Sequence, residues 1–152
     1  MADGPAALHD HHGHWLRLVS GHVSHRFARA LEAEGVTVAE WVLLRALHGA
    51  GAVPPSELAT RMGMTRGAIT KLVDRLTAKG LLVRARGGRG DRRYQTLALT
   101  GQGAALVPVL AHIADANEAA LFGMLNARDR QALLRLLQTL AERWDVTAQS
   151  VA

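Results

Sequence analysis

Apolar positions recur along this chain with two different periods, and the change of period divides it. From about Leu8 to Glu34, Leu16, Val19, Val23, Phe27 and Leu31 return every three or four residues, the spacing of one helix face, and Gly35 supplies a stop. Thr37-Val38-Ala39-Glu40 reads as a capping box, in which a Thr hydroxyl and a Glu carboxylate satisfy each other's backbone amides. It opens a second helix through Trp41, Leu43, Leu44 and Leu47 that ends near Gly49–Gly51. Pro54-Pro55-Ser56-Glu57 restarts the chain as a short helix to Met62, closed by Gly63. Thr65 opens a fourth, with Ile69, Leu72, Val73 and Leu76 on one face and Gly80 at its end.

The period then shortens to two. Leu82-Val83-Arg84-Ala85-Arg86 and the run from Arg93 to Leu99 alternate on either side of Gly87-Gly88-Arg89-Gly90, which predicts a β-hairpin with an Arg-tipped, Gly-rich loop. Thr100-Gly101 begins a long helix through Leu106, Leu110, Ile113, Ala116, Ala120 and Met124. Asn126-Ala127-Arg128-Asp129 starts the last one, whose seam is Leu133, Leu137, Leu140 and Trp144, broadened by Leu134 and Leu136. The expected fold is therefore mainly α with a small β-hairpin: four helices, the hairpin, two helices. No internal repeat or low-complexity tract interrupts this order.

Composition narrows the function classes. At 152 residues and 49% apolar, the chain has material for one domain, or two small ones packed together. No apolar run approaches ~18 residues, so no membrane span is expected. The start lacks a cationic stretch followed by an apolar block, so no secretory leader is expected either. The absence of cysteine excludes disulfides, thiolate metal ligands and thiol redox sensing, and fits a cytoplasmic protein. With 4% aromatic residues, a base-stacking platform for single-stranded RNA is poorly supplied.

The net charge of +5 conceals a strong polarity. Between Arg61 and Arg93 lie ten basic residues (Arg61, Arg66, Lys71, Arg75, Lys79, Arg84, Arg86, Arg89, Arg92 and Arg93) against two acids, Asp74 and Asp91, a local charge of +8. The remainder carries eight basic and eleven acidic residues, a charge of −3. A polyanion partner for that one segment follows. The segment also contains two short helices joined by Met62-Gly63-Met64, a helix-turn-helix candidate. In such a unit the second helix enters the DNA major groove with its first turns facing base edges. Because Ile69, Leu72, Val73 and Leu76 face inward, Thr65, Arg66, Gly67, Thr70 and Lys71 face outward. Arg and Lys bond guanine, and Thr bonds a base edge or touches a thymine methyl. Gly67 lets the backbone approach closely. Arg89 at the hairpin tip suits the minor groove, and Arg84, Arg86, Arg92 and Arg93 suit phosphates. Ser56 and Arg75 complete the DNA-binding candidates.

Ser56-Glu57-Leu58-Ala59, Thr65 to Gly80 (TRGAITKLVDRLTAKG) and Leu81-Leu82-Val83-Arg84 together resemble the winged helix-turn-helix of MarR-type transcriptional regulators. Asp91-Arg92-Arg93 resembles that family's D-x-R wing motif, and Leu99-Thr100-Gly101-Gln102-Gly103 its L-T-x-x-G sequel. The resemblance implies a winged helix-turn-helix at residues 37–100, and a dimerisation domain formed by the N- and C-terminal helices at 1–36 and 101–152. It implies an obligate homodimer bound to a pseudo-palindromic double-stranded operator, usually as a repressor. Carried over residue by residue, it makes Arg66, Thr70 and Lys71 base readers, Arg89 a minor-groove residue and Arg93 a phosphate contact. Asp91, two positions from Arg93, would hold a neighbouring arginine through a charge-assisted pair.

The resemblance also implies a small effector, often an aromatic or phenolic anion, bound between dimer helices and winged domain. Trp15, His22, His25, Arg29, Trp41, Arg45 and His112 are the candidate ligand-binding residues, offset by the ordinary role of tryptophan in packing. His9, His11, His12 and His14, with Asp10, form a dense run of imidazoles that could bind zinc, nickel or copper. Titrating surface histidines are the plainer reading, so no metal and no cofactor is assigned. No Gly-rich phosphate loop, G-x-S-x-G or H-E-x-x-H occurs, so an enzyme is not expected and no catalytic residue is named. Two alternatives to an effector-released regulator stand: a zinc-responsive regulator of the same fold, and a non-specific architectural DNA binder.

Overall fold

The structure, a computed structural model, describes residues 4–86 and 95–146. A 3-10 turn at Leu8–Asp10 leads into α1 (His12–Glu32), followed by α2 (Val38–Leu47), α3 (Pro55–Met62) and α4 (Arg66–Ala78). Then come β1 (Leu82–Arg86), β2 (Gln95–Leu99), α5 (Gly101–Phe122) and α6 (Ala127–Arg143). This is the order expected from periodicity. The first helix differs in one respect: it does not run unbroken from Leu8. His11 is extended (φ −92°, ψ 123°) and divides the 3-10 turn from α1. The Trp15 Nε1–H donates to the His9 carbonyl at 2.7 Å and folds the turn back against the helix.

Side-chain caps start the four helices whose beginnings the sequence marks most clearly. Thr37 accepts from the Glu40 amide, Thr65 from Ala68, Thr100 from Gly103 and Asn126 from Asp129. Each removes one of the unpaired amides of a first turn, a gain of about 1 kcal/mol. One apolar core follows. It takes Leu43, Leu44 and Leu47 from α2, Leu58 and Met62 from α3, and the Ile69–Leu72–Val73–Leu76 face of α4. Leu81, Leu82 and Leu97 close it from the hairpin side, and Leu31, Val107 and Leu110 from α1 and α5. None of α6 is fully buried.

The strands pair antiparallel, with Leu82 opposite Leu99, Arg84 opposite Leu97 and Arg86 opposite Gln95. Val53 adds a bridge on the far side of β2, exchanging hydrogen bonds of 2.9 and 2.7 Å with Leu97. A single bridging residue has no alternation to show, so periodicity does not reveal it. At the other end, the Thr100 hydroxyl donates to the Gly80 carbonyl at 2.7 Å while the Thr100 amide donates to Leu81 at 3.1 Å. The first turn of α5 is thereby pressed onto the Leu81 backbone. At Gly103 a Cβ would stand 2.1 Å from the Leu81 carbonyl oxygen.

By length and composition alone α5 passes for a membrane span: it has 22 residues, and an 18-residue stretch of it has a mean hydropathy of 1.3. Gln102, His112, Asp115 and Asn117 interrupt the stretch, so it holds no long unbroken apolar run. Its inward residues Gly103, Val107 and Leu110 pack in the core. Apolar side chains remain uncovered elsewhere. Trp15, Leu18 and Val19 on α1, Leu134, Leu136 and Leu137 on α6, and Trp144 just after it are each at least 40% exposed.

The close approach at Gly103 predicts that Gly103→Ala destabilises the fold by about 1–3 kcal/mol, because α5 must shift off Leu81. Gly101→Ala, on the same turn with open space around it, should stay within about 0.5 kcal/mol of wild type in urea unfolding.

Candidate nucleic-acid interface

Three residues make the turn between α3 and α4. Gly63 takes the left-handed conformation (φ 60°, ψ 35°), where a Cβ is strained, and the Met64 amide reaches back to the Ala59 carbonyl at 2.9 Å. Thr65 then caps α4 through its hydroxyl, 3.2 Å from the Ala68 amide. With Ile69, Leu72, Val73 and Leu76 buried, Arg66, Gly67, Thr70 and Lys71 lie exposed together on the first turns of α4, as the sequence pattern requires. The Thr70 hydroxyl donates to the Arg66 carbonyl at 2.9 Å, which leaves its oxygen lone pairs and methyl available. Ser56 is exposed at the start of α3. The result is a convex helix face carrying two cations at its positive end, a shape and charge suited to a DNA groove.

Several basic residues of the charged segment are engaged with acids. Arg61 pairs with Glu57 along α3, and Arg84 on β1 meets Asp74 of α4 at 2.5 Å. Among the described residues, neither Arg66 nor Lys71 has an acidic partner within ion-pair distance. Arg86 is placed on β1 by its pairing with Gln95. Arg89, Asp91, Arg92 and Arg93 lie outside the described residues.

Glu40 is a buried charge beneath this face, and its local sequence shows only its capping role. Its side chain is 1% exposed. One carboxylate oxygen accepts from the Thr37 amide at 3.0 Å and from Lys79 Nζ at 2.7 Å; the other faces Arg75 Nε at 3.3 Å. Lys79 Nζ also donates to the Gly35 carbonyl at 2.7 Å. Arg75 and Lys79 belong to the end of α4, so one carboxylate ties the α1–α2 corner to the recognition-helix candidate. Burial pushes the Glu40 carboxyl upward. The hydrogen bond from Lys79, the Thr37 amide and the charges of Lys79 and Arg75 outweigh that and hold it below its ordinary value of 4.5.

The proposed effector residues are scattered over three helices. Trp15 stands edge-on to His14, ring centres 5.5 Å apart, and His22, His25 and Arg29 are exposed on α1. Trp41 packs half-buried against the core, while Arg45 and His112 are exposed. Two cavities lie away from these side chains. One of about 240 Å³ lies between α5 and α6 beside Phe122, Arg130 and Leu134. The other, about 510 Å³, lies beside Gly35, Lys79, Leu81, Gln102 and Leu106. None of the seven effector candidates lines either. In the histidine run, His9 lies 3.6 Å from Asp10, and among the described residues no three His, Asp or Glu side chains are grouped to hold a metal ion.

Comparison with known proteins adds an independent line. A model of the MarR family matches residues 34–93. The transcriptional repressor NicR of Pseudomonas putida is 31% identical over 130 residues, covering 86% of this chain and 82% of that protein. MdtR of Bacillus subtilis, another transcriptional repressor, is 38% identical over 74 residues, 49% of this chain, which spans about half (47%) of that relative's length. Among solved structures, BpsR of Bordetella bronchiseptica, whose DNA binding is regulated by 6-hydroxynicotinic acid, superposes with a TM-score of 0.79 at 28% identity. That match covers 91% of this chain and 99% of BpsR.

The depressed Glu40 carboxyl sets a pH signature. A group whose folded value lies below its unfolded one stabilises fully above the unfolded value, and that stability is lost as pH falls through the folded value. Stability should therefore decline below about pH 4.5 as Glu40 protonates. Glu40→Gln should cost about 1–3 kcal/mol at neutral pH and show a shallower acid decline in urea titrations run from pH 7 to pH 3. Parallel acid profiles for the two proteins would remove Glu40 as a source of the decline.

Proposed function

The chain belongs to the MarR family of transcriptional regulators, and from that premise we propose that it is a sequence-specific, double-stranded-DNA-binding repressor. It binds a pseudo-palindromic operator as a homodimer and is released by a small aromatic ligand. The observation that carries the reading is the exposed cluster Arg66, Gly67, Thr70 and Lys71 on α4, a helix anchored by its opposite face. In this reading residues 37–100 form the DNA-binding unit and 1–36 with 101–152 the dimerisation region. Arg66, Thr70 and Lys71 read bases from the major groove, Thr65 and Ser56 approach the backbone, and the wing residues Arg89, Arg92 and Arg93 hold the flanking duplex. Its place of action is the cytoplasm, on the nucleoid.

The homodimer draws support from the uncovered apolar side chains of α1 and α6. Exposed apolar area of this kind marks a surface meant for a partner. Two-fold symmetry then sets half-sites about one helical turn apart, roughly 34 Å. The ligand draws support from BpsR, whose DNA binding responds to a heteroaromatic acid. A ligand releases DNA only through a difference in its affinity for the binding-competent and incompetent dimer.

The test selects a preferred duplex from a random pool with the wild-type protein and compares it with random duplex across salt. Arg66→Ala and Lys71→Ala should each cost about 1–3 kcal/mol on the preferred duplex and relax base preference. Arg92→Ala should weaken both duplexes alike and reduce the salt slope by about one. Equal losses on both duplexes from all three would leave a non-specific architectural binder. By sedimentation, Leu137→Glu combined with Leu140→Glu should convert a dimer into helical monomers that no longer bind the preferred duplex; a monomeric wild type would refute the two-fold operator.

A further inference from the structure

Three of the ten cations in the basic segment lie on α4 and a fourth, Lys79, caps its C-terminus, and they divide by position. Arg66 and Lys71 sit on its exposed first turns, whereas Arg75 and Lys79 sit near its C-terminal end and converge on the buried carboxylate of Glu40. Lys79 uses two of its three donors within the fold, on Glu40 and on the Gly35 carbonyl, both at 2.7 Å. Arg75 lies 3.3 Å from the remaining Glu40 oxygen. A phosphate that drew either cation away from Glu40 would strip a carboxylate that has almost no water to replace it. Glu40 itself is too buried to touch DNA.

We propose that Glu40, Arg75 and Lys79 form a positioning element that sets the angle at which α4 presents Arg66, Thr70 and Lys71, and that Arg75 and Lys79 are not phosphate contacts. This assigns Arg75 a different role from the one its charge and place on the recognition helix suggest. The geometry supports it in a specific way. The carboxylate is fixed to α2 by its own capping box, the Gly35 carbonyl belongs to the preceding corner, and both bind the same ammonium. A recognition helix held at its far end by three such contacts has one angle in which all are made, and a half-satisfied buried network is costly. The proposal rests on the DNA-binding reading above.

Charge and position predict opposite signs, which makes the test sharp. Glu40→Gln removes a negative charge beside the DNA-binding face, so a purely electrostatic role predicts tighter binding to every duplex. The positioning role predicts binding about tenfold weaker to the duplex selected by wild type from a random pool, with random-duplex affinity unchanged or higher. Lys79→Met should lose the same selectivity, and the double variant Glu40→Gln/Lys79→Met should lose no more than about twofold beyond either single variant, because both act through one contact. Salt slopes for Arg75→Ala and Lys79→Met should match wild type, in contrast to a phosphate contact, whose loss lowers the slope by about one. Circular dichroism and thermal melts confirm that each variant is folded at the assay temperature.

Tighter binding of Glu40→Gln to both duplexes overturns the proposal. So do additive losses accompanied by a reduced salt slope, which would make the two cations phosphate contacts. A lowered melting temperature with unchanged selectivity overturns it as well, leaving a purely structural ion pair. A pool that yields no enriched sequence refutes the operator-reading premise itself and takes this proposal with it.

Discussion

A carboxylate taken out of water has to be satisfied by its surroundings, and the arrangement of this protein around Glu40 follows from that requirement. Removing an ion from solvent costs several kcal/mol, which one partner rarely offsets. Here the offset comes from three segments: the Thr37 amide at the start of α2, Lys79 and Arg75 at the end of α4, and, through Lys79, the Gly35 carbonyl of the α1–α2 corner. Because the donors come from elements distant in sequence, the contact fixes their relative orientation. An apolar contact in the same place would tolerate sliding, whereas hydrogen bonds near 2.7 Å to a buried charge do not.

The residues that follow Lys79 extend the same anchorage toward α5. The Gly80 carbonyl receives the Thr100 hydroxyl, the Leu81 carbonyl receives the Thr100 amide, and Gly103 lets the α5 backbone rest against Leu81. Residues 79–81 are therefore held from two sides, by α2 and by α5. The fastenings of α4 lie on its inward face and at this end, so its first two turns need no partner from the fold. That division leaves the N-terminal turns exposed without leaving the helix loosely attached. It also gives the Leu-Thr-x-x-Gly motif a physical reason: the threonine caps and cross-links, and the second glycine removes a Cβ that would collide.

How much of this could be read from the sequence depended on the range of each interaction. Caps and stops are local, and Thr37, Glu40, Thr65, Thr100, Asn126, Gly63 and Gly80 all stand where their chemistry placed them. The inward face of α4 was equally legible, since a 3.6-residue period states which side is buried. Long-range pairing was not. The local sequence marks Glu40 as a cap, but nothing local indicates that its second set of partners lies 35 and 39 residues away, at Arg75 and Lys79. The Val53–Leu97 bridge escaped for a similar reason, and the break at His11 because apolar spacing continues across it. The chemical type of the effector candidates says nothing of whether three helices bring them to one cavity.

The same distinction refines the charge argument. A count of +8 over residues 61–93 singles out the segment, because an electrostatic field sums over all charges regardless of pairing. Yet Glu40 and Glu57, outside that stretch in sequence, pair with cations inside it, which lowers the local total by two, from +8 to +6. Attraction toward a polyanion survives such a reduction, being long-ranged and shared among many residues. Base reading does not work by summation, since it needs individual donors at defined positions on a fixed helix. Pairing therefore separates two tasks that a composition treats as one. Cations held by acids contribute field but have donors committed within the fold, while Arg66 and Lys71, free of acidic partners among the described residues, keep theirs available, as the proposed base reading requires.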